Sequence, residues 1–454
     1  MAQLERAKFG SKLGVILATA GSAVGLGNVW RFPYLAGENG GAAFMLVYIG
    51  CVLLLGMPCM VSEFIVGRRA QANAARAFRM LGGRTPLALV GYMGVITGTL
   101  ITGYYAVVSG WCLEYIYASA AGHFAGAGPA EVSRYFADFE TDPVRPIVWM
   151  VLVFLATHWV IVHGVRDGIE RASKLMMPAL FILLLIVVVA SCLLPGAMRG
   201  IEFLFKPDFS KVTGGVFLSA LGQAFYSLSI GMGCMCTYAS YFGRQTRLGS
   251  SAMQIGVIVI LVAVLSGLMI FPAAFSVGIK PDSGPSLIFI TLPNVFREAF
   301  GFAPVLGYVV AVLFYVLLTL AALTSLISLH EVSTAFLHEE LHITRRRAAT
   351  IVTATGIVLG GFCSLSLGGR EWLTLFGRPL FELCDFVTGQ MLMPFGGILI
   401  CLLVGWYLPH KLVRDEFTNW GTLPGRYLRL FVFCVKYVCP ICIVLIFLNQ
   451  LGLL

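Results

Sequence analysis

The sequence predicts an all-α polytopic membrane protein with eleven transmembrane helices. Composition is the first observation: of 454 residues, 58% are hydrophobic and 12% charged, with a mean hydropathy of +0.88. The second is the length of the apolar runs, which match the roughly 20 residues a helix needs to cross hydrocarbon. An outer-membrane barrel would show short alternating segments instead. The third is where the basic residues fall. A net charge of +9 could suit nucleic acid, but in a chain this apolar Lys and Arg report topology, and no nucleic-acid partner is expected.

In chain order the runs cover about 12 to 38, 42 to 67, 87 to 119, 146 to 164, 170 to 194, 214 to 242, 249 to 278, 304 to 337, 347 to 364, 378 to 408 and 427 to 450. With the N-terminus in the cytoplasm, the inner segments carry Arg6, Lys8 and Lys12; Arg68, Arg69, Arg76, Arg79 and Arg84; Arg166, Arg171 and Lys174; Arg244 and Arg247; Arg345 to Arg347; and Lys411, Arg414, Arg426 and Arg429. Those are twenty of the 31 Lys and Arg, so the positive-inside rule supports eleven spans in an inner cell membrane, with the C-terminus outside. The loop 122 to 145 holds Glu131, Asp138, Glu140 and Asp142, which suits the outer side. The first run carries a polar break and no small-residue cleavage site, so it does not read as a signal peptide. Most of the twelve cysteines, Cys51, Cys59, Cys192, Cys401 and Cys442 among them, lie inside apolar runs without metal-ligand spacing and read as small buried hydrophobes.

Two spans are anomalous. GSAVGLGNVWRF, Gly21 to Phe32, sets three glycines, an Asn and an Arg between KLGVILATA and the run from Ala42 through Leu55. Backbone freed there would leave N–H and C=O groups unpaired in hydrocarbon, at several kcal/mol each, unless something polar is bound. The sixth span repeats the feature with Ser227 to Gly233, two serines and two glycines at mid-membrane. Each break opens a five-span block, and odd-numbered blocks invert. The chain therefore divides into a first repeat (1–194), an inverted second repeat (195–408) and a final span with the C-terminus (409–454). Paired broken helices at matching places in inverted repeats mark a transporter with its site at the midplane. Close helix packing would explain one of these glycines, but not an Asn and an Arg beside them.

GSAVGLGNVWRFPYLAGENGG, GQAFYSLSIGMG, the TLAALTS of the eighth span and Asp385 of the tenth together resemble the neurotransmitter/sodium symporter family, in its bacterial eleven-span branch. The likeness covers essentially the whole chain; the paired-break rule is itself drawn partly from this family's fold. It implies a sodium-coupled symporter working by alternating access, with Na+ as the coupling ion, one or two per cycle. A second sodium site would use the carbonyls of Gly21, Val24 and Ala321 and the hydroxyls of Thr324 and Ser325, a set of oxygens suited to a hard cation. The first would use Ala23 carbonyl, the Asn28 amide oxygen and Ser227, which replaces the more usual Thr. The family's seventh-span Asn and nearby carboxylate are missing: alignment on Phe271-Pro272 puts Ile258 and Val262 there, and from Ile255 to Leu265 only Gly256 is not hydrophobic. Tyr48, Gln223 and Ser227 match part of the family's chloride surroundings, so ion count and chloride need are open. Glu63 resembles its second-span carboxylate near the first sodium.

Amine-transporting relatives carry Asp where this chain has Gly25. By resemblance, Ala23 and Gly25, Leu26 and Gly27 receive an α-carboxylate, and carbonyls of Ala23, Tyr226, Ser227 and Ser229 receive the α-amine. The side chain would meet Ile101, Tyr105, Tyr226, Ser229, Met232, Ser325 and Leu329. None of these is charged, which suits a neutral, apolar or aromatic L-amino acid. Arg31 and Asp385 resemble the outer gate, with Tyr105 and Tyr226 as its lid; Arg6, Ser240, Tyr241 and Glu339, the last in place of Asp, resemble the inner lock. His158, His163 and His330 match no family position and read as packed or interfacial. No nucleotide-loop, zinc or Ser-His-Asp pattern supports an enzyme. A channel would need a continuous polar lining. A non-transporting amino-acid sensor, or a differently coupled symporter of the same fold, remains the alternative.

Overall fold

The computed structural model describes residues 7–124, 126–278 and 287–450. Among these the fold is helical apart from a two-stranded antiparallel ribbon, Thr374–Leu375 with Arg378–Pro379. Nine helices are long and apolar enough to cross a membrane, from Ala42–Ala70 to Leu428–Asn449, and the bent pair Lys12–Ala23 with Gly27–Glu38 makes a tenth. The eleventh expected span is Gly214–Ser227 followed by Cys234–Ala239, two pieces too short to meet that criterion singly. Both spans expected to be broken are thus the two in which helix stops in mid-course.

Local chemistry explains where they stop. The Ser11 hydroxyl accepts from Gly14 N–H and starts the first helix. That helix ends at Val24, with ψ of 85°, and the axis turns by 56°. It restarts at Gly27 in a wide turn, Phe32 N–H bonding to Gly27 carbonyl, the kind of local bulge that re-aims side chains at functional sites. In the sixth span Ser229 lies at φ +53°, with Gly231 at +84° and Gly233 at +77°. The left-handed serine costs of order 1 kcal/mol, and its hydroxyl donates to Ser22 carbonyl at 3.0 Å, so the two breaks hold each other open.

Around this pair the long helix Pro304–Glu340 lies along Val90–Ala120, and both pack on Arg345–Leu367 and Arg145–Val162. Lys12–Ala23 touches Pro304–Glu340, Arg171–Cys192 and Leu248–Ser276, which puts its C-terminal end inside the bundle. At the end of the second span Arg68 Nε meets Glu416 Oε2 at 2.7 Å, both side chains 1% exposed, and Arg68 Nη1 donates to Asn419 Oδ1 at 3.0 Å. Arg68→Ala leaves the buried Glu416 with only the half-exposed Arg69, at 3.6 Å, as its ion-pair partner; the expected loss is about 3 kcal/mol, read as a lower melting temperature in detergent. Arg69→Ala, whose side chain is 42% exposed, should change stability by less than about 1 kcal/mol.

Candidate functional site

The two breaks face each other across a small cavity of about 40 Å³, room for about one or two water molecules. Of the expected substrate contacts, Ala23, Gly25, Gly27, Ile101, Tyr105, Tyr226, Ser227, Ser229, Met232, Ser325 and Leu329 all line it. Leu26 does not: it lines a larger vestibule of about 520 Å³, and its N–H donates to Tyr105 hydroxyl at 3.1 Å. Ser22 and Ser328 also line the cavity, joined hydroxyl to hydroxyl at 2.7 Å. Reading the sequence missed both, although Ser22 lies in the break and Ser328 one turn after Thr324.

Glycine is required at two of these positions. A Cβ at Gly25 would sit 2.5 Å from Ser325 Oγ and 2.9 Å from Tyr105 hydroxyl, and one at Gly27 would sit 2.6 Å from the Tyr226 ring. Side chains from the third, sixth and eighth spans therefore press directly on the backbone of the first break. Its geometry separates charge: carbonyls at the C-terminal end of Lys12–Ala23 favour a cation, and the restart at Gly27 presents the N-terminal end of a second half-helix, which favours an anion.

Of the residues expected at the second sodium site, Gly21, Thr324 and Ser325 meet between the first and eighth spans. Ser325 hydroxyl lies 3.4 Å from Gly21 carbonyl and 3.2 Å from Ser22 carbonyl. Thr324 hydroxyl donates to Ala321 carbonyl at 3.0 Å, the self-satisfying bond that a buried helical Thr makes by default, and a Cβ at Gly21 would touch Thr324 Cβ at 3.3 Å. Val24 is fully buried.

The first sodium position is built differently. Asn28 Nδ2 donates to Ala23 carbonyl at 2.6 Å, while Asn28 Oδ1 is buried with no hydrogen-bond partner. Native interiors rarely leave such an acceptor unsatisfied, so this oxygen fits a cation ligand. The seventh span, Leu248–Ser276, packs on the turn Gly27–Arg31, and its Val262 is fully buried and apolar. Gln223 Nε2 donates to Gly27 carbonyl at 2.9 Å and to Ser227 hydroxyl at 3.0 Å. Tyr48 hydroxyl and Gln223 Oε1 are buried without partners. The Glu63 carboxylate accepts from Gly231 N–H at 2.7 Å and Cys236 N–H at 3.1 Å, clamping the unwound part of the sixth span.

Tyr105 and Tyr226 line both cavity and vestibule and form the partition between them. Arg31 lies over the Tyr226 ring at 4.7 Å, a cation–π contact. Arg31 and Asp385 both line the vestibule without coming within 4.0 Å of each other as an ion pair. On the opposite face Phe9 packs edge-on to Tyr238 and Tyr241, with ring centroids 5.9 and 6.1 Å apart. Tyr241 hydroxyl donates to Glu331 at 2.6 Å, and Arg345 binds both Glu331 oxygens at 2.9 and 2.5 Å. Glu331 and Arg345 had no expected role there; Arg345 was legible only as a topological charge. Ser240 lies at the end of Cys234–Ala239. Glu339 Oε2 accepts from Asn73 N–H at 2.8 Å, and Arg6 lies outside the described residues. His158 and His330 share the Thr353 hydroxyl at 3.0 and 2.9 Å, packed between scaffold helices as expected.

The model of the sodium:neurotransmitter symporter family matches residues 6–128 and 140–453. An uncharacterized sodium-dependent transporter, YhdH of Bacillus subtilis, is 37% identical over 455 residues, covering 100% of both chains. A Haemophilus influenzae sodium-dependent transporter is 34% identical over 98% of each. The crystal structure of MhsT in complex with L-phenylalanine superposes with a TM-score of 0.88 at 38% identity, over 98% of this chain and 100% of that one.

Proposed function

The chain belongs to the sodium:neurotransmitter symporter family, a family of membrane transporters and not of enzymes, and from that premise we propose that it couples sodium to the symport of a neutral, apolar or aromatic L-amino acid by alternating access. The observation that carries the reading is the unsatisfied Asn28 Oδ1 beside Ala23 carbonyl, in a cavity whose walls bear no charged side chain. The likeness to a structure holding L-phenylalanine supports the substrate class.

In this reading one sodium rests on Gly21, Val24, Ala321, Thr324 and Ser325. Another lies between Ala23, Asn28 and Ser227, completed by the substrate's own carboxylate, which turns toward the restart at Gly27. The amine meets the carbonyls around Tyr226. At about 40 Å³ the cavity is too small for an aromatic side chain, so binding must displace the partition of Tyr105 and Tyr226 or the flexible Met232. Rebound of that partition under Arg31, drawn toward Asp385, closes the vestibule. Release on the other face then requires Phe9 and the Tyr241–Glu331–Arg345 group to part. The distribution of basic residues supports an N-terminus in the cytoplasm. A chloride ion beside Ser227 is favoured by one observation, the partnerless buried Tyr48 hydroxyl; uptake in gluconate that matches uptake in chloride would remove it.

Because carboxylate and ion share ligands, each should tighten the other's binding equally, by about 5- to 150-fold. The test is calorimetric titration with whichever of the twenty common amino acids stabilise the protein against heat in sodium. Equal affinity in sodium and in potassium would sink the proposal, as would binding without net flux in proteoliposomes, which would make the protein a sensor.

A further inference from the structure

We propose that Cys59, Cys401 and Cys439 form a binding site for a soft divalent metal ion of the zinc and cadmium class, joining the second, tenth and eleventh spans behind the unwound part of the sixth. The three Sγ atoms lie within 4.8 Å of one another. Cys59 and Cys401 are 3.6 Å apart across 342 residues of sequence, and Cys439 Sγ lies 3.7 Å from Leu55 carbonyl. All three are fully buried, and the described residues hold no second group of this kind. Metal–sulfur bonds of about 2.3 Å place two thiolates about 3.8 Å apart at a tetrahedral angle and about 4.6 Å apart when opposed, so the triad can close on an ion with little movement.

Charge selects the ion. The site lies among apolar helices, where an uncompensated charge is costly. A divalent ion that displaces the protons of Cys59 and Cys401 forms two metal–sulfur bonds, releases two protons to water and leaves a neutral site, with no change of oxidation state. Cys439 keeps its proton, directed to Leu55 carbonyl, and gives a sulfur lone pair as third ligand. Thiolate ligands favour soft ions over the sodium, magnesium and calcium that prefer oxygen.

Position gives the ion a consequence. Cys59 precedes Glu63 by one helical turn, on the same face, and Glu63 holds the amides of Gly231 and Cys236. Cys401 is on the helix whose Gly396 meets Gly231, a Cβ there lying 3.1 Å from Gly231 carbonyl. An ion across these thiols ties the support of the unwound segment to the tenth and eleventh spans and should slow transport. That consequence rests on the alternating-access reading; the binding does not.

The experiment is titration of the reduced, purified full-length protein with Cd2+, followed by the ultraviolet thiolate-to-metal absorption band. One Cd2+ per chain is expected, with two protons released and an apparent affinity that rises about 100-fold per pH unit while the thiols are protonated. Cys59→Ala and Cys401→Ala should each abolish the band, whereas Cys112→Ala, in the third span, should keep it; melting curves verify folding, and the serine variants replace any alanine variant that does not fold. No band at one equivalent, or a band that survives Cys59→Ala with Cys401→Ala, overturns the site. A band without inhibition of sodium-driven uptake keeps the site and overturns its coupling to the sixth span.

Discussion

Gly25→Asp is expected to weaken binding of a zwitterionic amino acid at least about 100-fold, roughly 2.7 kcal/mol, and to abolish uptake. Two effects act together. The new Cβ would stand 2.5 Å from Ser325 Oγ and 2.9 Å from Tyr105 hydroxyl, so both hydroxyls must shift. The carboxylate beyond it would occupy the approach of the substrate's own carboxylate, and like charges brought together at a desolvated site cost several kcal/mol. Gly25→Ala carries the Cβ without the charge, so the gap between the variants isolates the repulsion. A decarboxylated analogue should not suffer that repulsion, and its affinity should fall no further in the Asp variant than in the Ala variant. Titration showing the amino acid bound by Gly25→Asp within about threefold of the parent would move the carboxylate away from this break.

What could be read from the sequence depended on how local the signal was. Glycines that admit no Cβ, such as Gly25 and Gly27, announce themselves in a run of apolar residues, because nothing else explains three of them with Asn28 and Arg31. The break in the sixth span was legible for the same reason. Cavity-lining side chains on the third and eighth spans were placed through the family likeness, since no local pattern separates Ile101 or Leu329 from any other core residue. Contacts between distant segments were not legible. Glu63 was expected near the first sodium, but its bonds to the Gly231 and Cys236 amides could not be read, because its reach depends on how the second span packs. Glu331 with Arg345, and the three thiols of Cys59, Cys401 and Cys439, are products of tertiary packing that leave no spacing to detect. Arg31 and Asp385 were expected as an outer gate pair and both line one vestibule, but the distance between them belongs to a state of the gate and not to the sequence.

The seventh span supplies the second large prediction. Asn28→Ala removes both the buried Oδ1 and the bond that Nδ2 makes to Ala23 carbonyl. The sodium concentration for half-maximal amino-acid binding should rise at least about tenfold, the effect of losing one ion ligand worth about 1.4 kcal/mol, and the mutual tightening of ion and substrate should shrink with it. Melting temperature without sodium should fall only by what the lost Nδ2 bond to Ala23 carbonyl contributes, about 1–3 kcal/mol, since the deleted oxygen satisfies nothing there. Val262→Asn tests the same site from the other side. Val262 is fully buried on a helix that packs against Gly27–Arg31, so an amide there can offer a further oxygen to the ion, lowering the half-maximal sodium concentration. It can also simply donate to Asn28 Oδ1, which would raise thermal stability without sodium and weaken sodium binding. The two outcomes differ in sign. If Val262→Asn leaves sodium dependence unchanged while Asn28→Ala destroys it, the ligand opposite Asn28 is the substrate's carboxylate and not the seventh helix, and coupling at this position requires substrate and ion to arrive together.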